Sequence, residues 1–282
     1  MRPTSQWQLG LQNFNGVLFQ PNSSTAGGNG LGGVWTTDTA AVGITVAHAT
    51  VGTAYDTQLK RTTYANVGGT ANQELGPRLA AAGDYQFWMG NDTTNHAYLG
   101  GWYMSAIFRI GTWSGAGSGT DGRLFVGLTG DTNPVVTQDT VRNNTIGLWH
   151  DGADGQDVLS LVTRDAGAVG TTKLQLTAHS GAVSPAVNAS GILASGVTLL
   201  WEMWAFPSSV GTINTNCRLS KFDSSTQAVT KIVWNAQGGG PVNTVMLAPQ
   251  VQMSNGGTDT IAAHYKIEVA NVYCVPWMGE QQ

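Results

Sequence analysis

The chain has 282 residues, enough to bury a core as one large all-β domain or as two smaller ones. Only 11% of them are charged, against about 25% in an ordinary soluble domain, and the formal net charge is −4. With Lys60-Arg61 as its only adjacent basic pair and no run of about 18 apolar residues, the sequence argues against nucleic-acid binding through phosphates and against membrane insertion by a helix.

Glycine contributes 38 residues, and the ten tryptophans are too many for a disordered chain. Poor in charge and rich in Gly, Thr, Ser, Asn and Trp, the chain has the profile of an all-β scaffold with long polar loops. The N-terminal MRPTSQWQLG lacks the apolar core of a signal peptide, so secretion by that route is not expected. Residues 1–40 read as an attachment arm. Trp7, Leu9, Leu11, Phe14 and Phe19 are its apolar contacts, and PNSSTAGGNGLGG is a flexible linker. Gly28, Gly30 and Gly33 have the spacing of a dinucleotide loop, but strand-like VWTTDT follows where a helix should begin.

From residue 41 to 282 the chain reads as a β-sandwich, with 41–82 open as a connector to it. Ala41–Arg61 is Thr- and Val-rich and extended, and Leu79–Ala82 is expected to make a helical turn. In Trp102–Ile110 the residues Trp102, Met104, Ala106, Phe108 and Ile110 share one face, because side chains alternate along a strand. Tyr103, Ser105, Ile107 and Arg109 share the other. Leu124, Val126 and Leu128 form the apolar face of a second strand, opposite Arg123 and Phe125. These two strands, joined by the glycine-rich Gly111–Gly122, are expected to pair as a hairpin. Further strands are expected at Thr145–Trp149, Val158–Thr163, Lys173–Ala178, Leu199–Phe206, Cys217–Phe222, Lys231–Asn235, Val245–Val251 and His264–Val275. Leu199–Phe206 is the most apolar and should be central. Cys217 and Cys274 are too few for a disulfide framework and read as small buried hydrophobes in reduced form. The sequence has no heptad repeat to build a coiled-coil shaft.

Several motifs occur in a recognisable order: VGTAYDTQLKRTTY (51–64), GGWYMSAIFRIG (100–111), GRLFVGL (122–128) and NNTIGLWHDGADGQ (143–156). LLWEMWAFPSS (199–209), MLAPQVQMSNGGT (246–258) and IEVANVYCVPW (267–277) complete the set. In this the chain resembles a family of bacteriophage virion proteins that form the distal, receptor-facing domain of tail fibres. The resemblance covers roughly 40–277, with the order as its main content. It implies an antiparallel jelly-roll or lectin-like β-sandwich, assembled as a homotrimer in the host cytoplasm and carried on the virion. Its partners would be other virion proteins and a bacterial surface glycan or protein receptor. It implies no catalytic residues, no metal and no cofactor. The sequence departs from the family at Val210–Thr215 and Gly238–Asn243.

His150, Asp151, Asp154 and Asp157 form the densest polar cluster. One reading is a sugar or cation site with Trp149 stacking on a ring; the other is a turn capped by carboxylates. Ala153 and Gly155 fail the oxygen positions of an EF-hand loop. Trp113, in the glycine-rich connection, and Trp149 are candidate binding anchors, or else lids over their own core. Glu202, between Trp201 and Trp204, has the surroundings of a raised-pKa acid, yet a second carboxylate is not identifiable. Pairing with Lys or Arg across the sheet is the alternative. The five histidines lack metal-ligand spacing and no G-x-S-x-G elbow occurs. The expectation is a non-enzymatic adhesin of a tail fibre. A head-fibre, decoration or baseplate protein of the same fold, and a polysaccharide depolymerase, are the alternatives.

Overall fold

The computed structural model describes residues 17–19, 35–36, 44–48, 61–66, 73–79, 87–88, 102–113, 122–131, 141–151, 159–164, 172–176, 197–206, 214–222, 229–238, 246–256 and 265–276. The strands are β1 (Val17–Phe19), β2 (Trp35–Thr36), β3 (Ile44–His48), β4 (Thr62–Asn66), β5 (Glu74–Leu75) and β6 (Arg78–Leu79). They continue with β7 (Phe87–Trp88), β8 (Trp102–Trp113), β9 (Arg123–Thr129), β10 (Thr145–Asp151), β11 (Ser160–Arg164) and β12 (Thr172–Gln175). The last are β13 (Thr198–Phe206), β14 (Asn214–Phe222), β15 (Val229–Gly238), β16 (Met246–Ser254) and β17 (Tyr265–Pro276). Among the described residues there is no helix.

Two antiparallel sheets face each other. The first runs β15-β14-β13-β8-β17-β4-β3, with β1 also on β17. The second runs β12-β11-β10-β9-β16-β6-β2, with β5 and β7 on β16. The chain lays down β9 to β12 as a meander in the second sheet and β13 to β15 as a meander in the first, then crosses for β16 and back for β17. This is a β-sandwich, as the alternation predicts, and of the jelly-roll type that the resemblance implies. The predicted central strand is interior, between β14 and β8.

The alternation also names the core. Trp102, Met104, Ala106, Phe108 and Ile110 of β8 are buried against Leu124, Val126 and Leu128 of β9 within one hydrophobic cluster. A transverse row on the inner face runs Cys217–Met203–Met104–Cys274, each paired in register with the next. Soft, polarizable side chains fill such a seam without strict shape demands. Both cysteines are free and buried, as expected of small hydrophobes.

The expected hairpin over 101–128 does not form. β8 pairs with β13 and β17, and β9 pairs with β10 and β16, so the two strands lie in opposite sheets. Alternation reports which face is buried, not which strand is the neighbour. Two apolar faces joined by a long glycine-rich connection can stack across a core as well as lie edge to edge.

Leu79, expected in a helical turn, is in β6, paired with Trp35; residues 80–82 lie outside the described residues. The stretch read as an arm contributes two strands. Val17–Phe19 pairs with Val272–Cys274, and Trp35–Thr36 pairs with Arg78–Leu79. Phe19 is therefore a strand residue, while Trp7, Leu9, Leu11 and Phe14 lie outside the described residues. The connector stretch 41–82 likewise supplies β3 to β6 to both sheets.

Candidate functional site

The first two residues of the polar cluster, His150 and Asp151, are drawn into the sheet. β10 continues through Trp149, His150 and Asp151, all three buried, rather than turning after Trp149. Trp149 packs on the outer side of the second sheet with Phe125, Val141 and Val162, and Lys173 Nζ lies 5.9 Å from its ring centroid. It is a lid over its own sheet. Asp151 stands opposite Arg123, 3.8 Å from Nε, as a buried ion pair. His150 falls on the other side of β10, the side of the core residues Ile146 and Leu148. Asp154 and Asp157 lie outside the described residues. Trp113 is the last residue of β8, opposite Tyr265, and not part of a loop. With its ring at 1% exposure, Trp149 offers a sugar no stacking face.

A polar face with half-buried side chains lies instead on the outer side of the first sheet. The residues alternating with the core there are Tyr103, Ser105, Ile107 and Arg109 of β8, all half-buried. Strand register sets their neighbours in rows. One row is Asn216–Trp204–Tyr103–Val275, and the next is Arg218–Glu202–Ser105–Tyr273. Glu202 is the hub. Its Oε1 accepts a hydrogen bond from Tyr103 Oη at 2.9 Å, its Oε2 accepts one from Arg218 Nε at 2.5 Å, and Arg218 Nη2 stands 2.5 Å from the same oxygen as an ion pair. The pairing across the sheet is thus the outcome for Glu202, with Arg218 as partner. The Tyr103 and Tyr273 rings meet at 6.2 Å, tilted by 57°. Burial, the Glu202 charge and its hydrogen bond push the Tyr103 phenol above its ordinary range, with Ser105 and Arg218 acting weakly the other way.

No protein-family model matches the chain, and no curated protein matches it in sequence. Its likenesses are to solved structures. A peanut lectin is 10% identical with a TM-score of 0.48, over 94% of this chain and 99% of that one. Lectin I-B4 from Griffonia simplicifolia is 7% identical with a TM-score of 0.45, over 84% and 94%. An alginate lyase from Pseudomonas aeruginosa is 10% identical with a TM-score of 0.42, over 78% and 83%. At that distance no residue role passes from them to this chain.

Farther along the same face stands a second charged group. Glu268 of β17 is 3.0 Å from Arg61 Nε and 3.1 Å from Lys266 Nζ, and in register it faces Arg109. The Lys266 stem lies flat on Gly111, where an added Cβ would come within 2.7 Å of its Cδ. Among the described residues no group of three His, Cys, Asp or Glu is arranged to hold a metal.

The sequence reading singled out Glu202, with Trp201 and Trp204 only as its surroundings, and missed Arg218, Asn216 and Tyr273. A signal was present for Arg218. It and Glu202 lie equally far along the chain from Val210, so a hairpin turning there places them opposite one another, as observed.

Proposed function

We propose that this chain is a non-enzymatic glycan-binding sandwich of a bacteriophage tail fibre or receptor-binding protein, with the outer face of the first sheet as its ligand surface. One observation supports it above the others. Half-buried Trp204, Tyr103 and Tyr273 stand around the Glu202–Arg218 pair on the outer face of the first sheet. Sugars present C–H groups on their ring faces and hydroxyls on their edges. Aromatic rings suit the faces, and carboxylate, guanidinium and the amides of Asn216 and Asn271 suit the hydroxyls. The virion setting rests on the ordered motifs between 51 and 277 and on a composition poor in charge and rich in glycine. A binding role also suits the phenol of Tyr103. Held protonated by burial and by Glu202, it donates a hydrogen bond and is a poor base at neutral pH.

The test is a titration of the purified chain with lipopolysaccharide and capsular polysaccharide from candidate hosts, followed by tryptophan fluorescence. Trp204→Ala is expected to weaken binding about tenfold, the worth of a stacked aromatic anchor, with the circular dichroism spectrum unchanged. Full affinity in this variant would move the site elsewhere. Release of reducing ends from the polysaccharide would replace the adhesin with a depolymerase.

A fibre tip works by repetition, because weak sugar contacts become useful when several act together. We propose the homotrimer on this ground, with an interface other than the outer face of the first sheet. The face of Tyr103, Ile107 and Arg109 carries too many charges, Glu202, Arg218 and Glu268 among them, to resemble the charge-depleted core of a subunit contact. Light scattering is expected to give three times the mass of the 29.5 kDa chain. A stable monomer at micromolar concentration removes the trimer.

A further inference from the structure

The outer face of the first sheet runs against the charge of the protein as a whole. The formal net charge of the chain is −4, yet among the described residues of this face Arg61, Arg109, Lys266 and Arg218 meet only two carboxylates, Glu202 and Glu268. Glu202 is occupied by Arg218 and Tyr103, and Glu268 by Arg61 and Lys266. Arg109 is left over. Its Nε is buried without a hydrogen-bond partner, and the carboxylate it faces in register, Glu268, is engaged by Arg61 and Lys266. A half-buried, unmatched guanidinium is costly to keep unless something pairs with it.

Resting on the glycan-binding reading, we infer that this surface takes an acidic glycan, and that Arg109 pairs with an anionic group of the chain. A guanidinium presents a planar fork of N–H donors that fits a carboxylate or a phosphate with two parallel hydrogen bonds. Arg109 lies four residues along β8 from Ser105, which sits between Glu202 and Tyr273. At about 3.3 Å per residue, that is roughly 13 Å along the strand. An extended saccharide lying along β8 would therefore stack near Tyr103 and Tyr273 and reach Arg109 with a later, charged unit. A single monosaccharide is too short to use both places.

The experiment is calorimetric titration of the intact chain with matched oligosaccharides. One arm uses hexuronate oligomers and their carboxyl-reduced forms. The other uses phosphodiester-linked teichoic fragments and their dephosphorylated counterparts. The expected result is that one charged series binds at least about tenfold more tightly than its neutralised partner, and that the gap narrows as salt rises. Which arm responds tells a carboxylate from a phosphate. Arg109→Gln should erase most of the gap, and Arg109→Lys should restore part of it. Because the comparison of glycans uses the unaltered protein, it stands even if an Arg109 variant folds poorly. If neutralised glycans bind as tightly as charged ones, the acidic-ligand inference falls while glycan binding survives. If no glycan binds at all, both fall together.

Discussion

Glycines decide the outer face of the second sheet residue by residue. Gly127 and Gly147 are paired across β9 and β10, and the Phe125 ring lies over both. A Cβ on Gly147 would stand 2.7 Å from Phe125 Cε2 and 2.6 Å from the Val126 carbonyl oxygen. The ring could move, but the backbone oxygen cannot without breaking the ladder. Phe125 is also the cross-strand neighbour of Trp149, so a displaced ring disturbs the small cluster that buries it. Gly147→Ala is expected to cost about 1–3 kcal/mol, the range for overpacking a tight interior, seen as a lower denaturant midpoint with an unchanged slope. An unchanged midpoint would mean that the sheet spreads to admit a methyl group. The same detail explains why the sequence left Trp149 open between a binding anchor and a lid. A tryptophan next to acidic residues resembles a binding anchor, and only the paired glycines two strands wide reveal that a ring lies flat there.

At the scale of elements, the sequence was informative where the signal is local and silent where it is not. The burial of alternate residues from Trp102 to Ile110 follows from the pleat alone, and every one of those side chains is in the core. Leu199–Phe206 was legible as an interior strand because it is too apolar for an edge. Partner choice was not legible for β8 and β9. Their alternation is equally satisfied by pairing and by stacking, and the difference depends on β13 and β17, which arrive much later in the chain. Short strands such as β1, β2 and β5 carry too few residues for a period to register, so an arm was read where the sandwich borrows strands. For the candidate site, Glu202 and Trp204 were visible as a polar residue and an aromatic in an apolar run. Tyr273 was not. It reaches the same face only because the β17 register shifts between Val269 and Asn271, an irregularity that composition does not announce.

For the molecule as a whole, the buried ionisable groups set a limit on the alkaline side. Burial pushes the phenols of Tyr64 and Tyr103 above their ordinary 10.0, and the thiol of Cys274 above its ordinary 9.0. The Glu202 carboxylate adds to the rise at Tyr103. In the unfolded chain these groups release their protons near the ordinary values, while the folded protein holds them. The folded state therefore binds more protons above that point, and stability falls as pH rises. The contribution is fully present below about pH 9 and is lost progressively as pH climbs through 10 towards the raised folded values. Each such group costs about 1.4 kcal/mol per pH unit over that window. Tyr103→Phe tests this, since it removes one of the phenols and its share of the effect. Urea midpoints from pH 7 to 11 are expected to stay level to about pH 9 and then decline, less steeply in Tyr103→Phe than in the unaltered protein. A midpoint that holds level to pH 11 would mean that these phenols and the thiol are not sheltered by the sandwich.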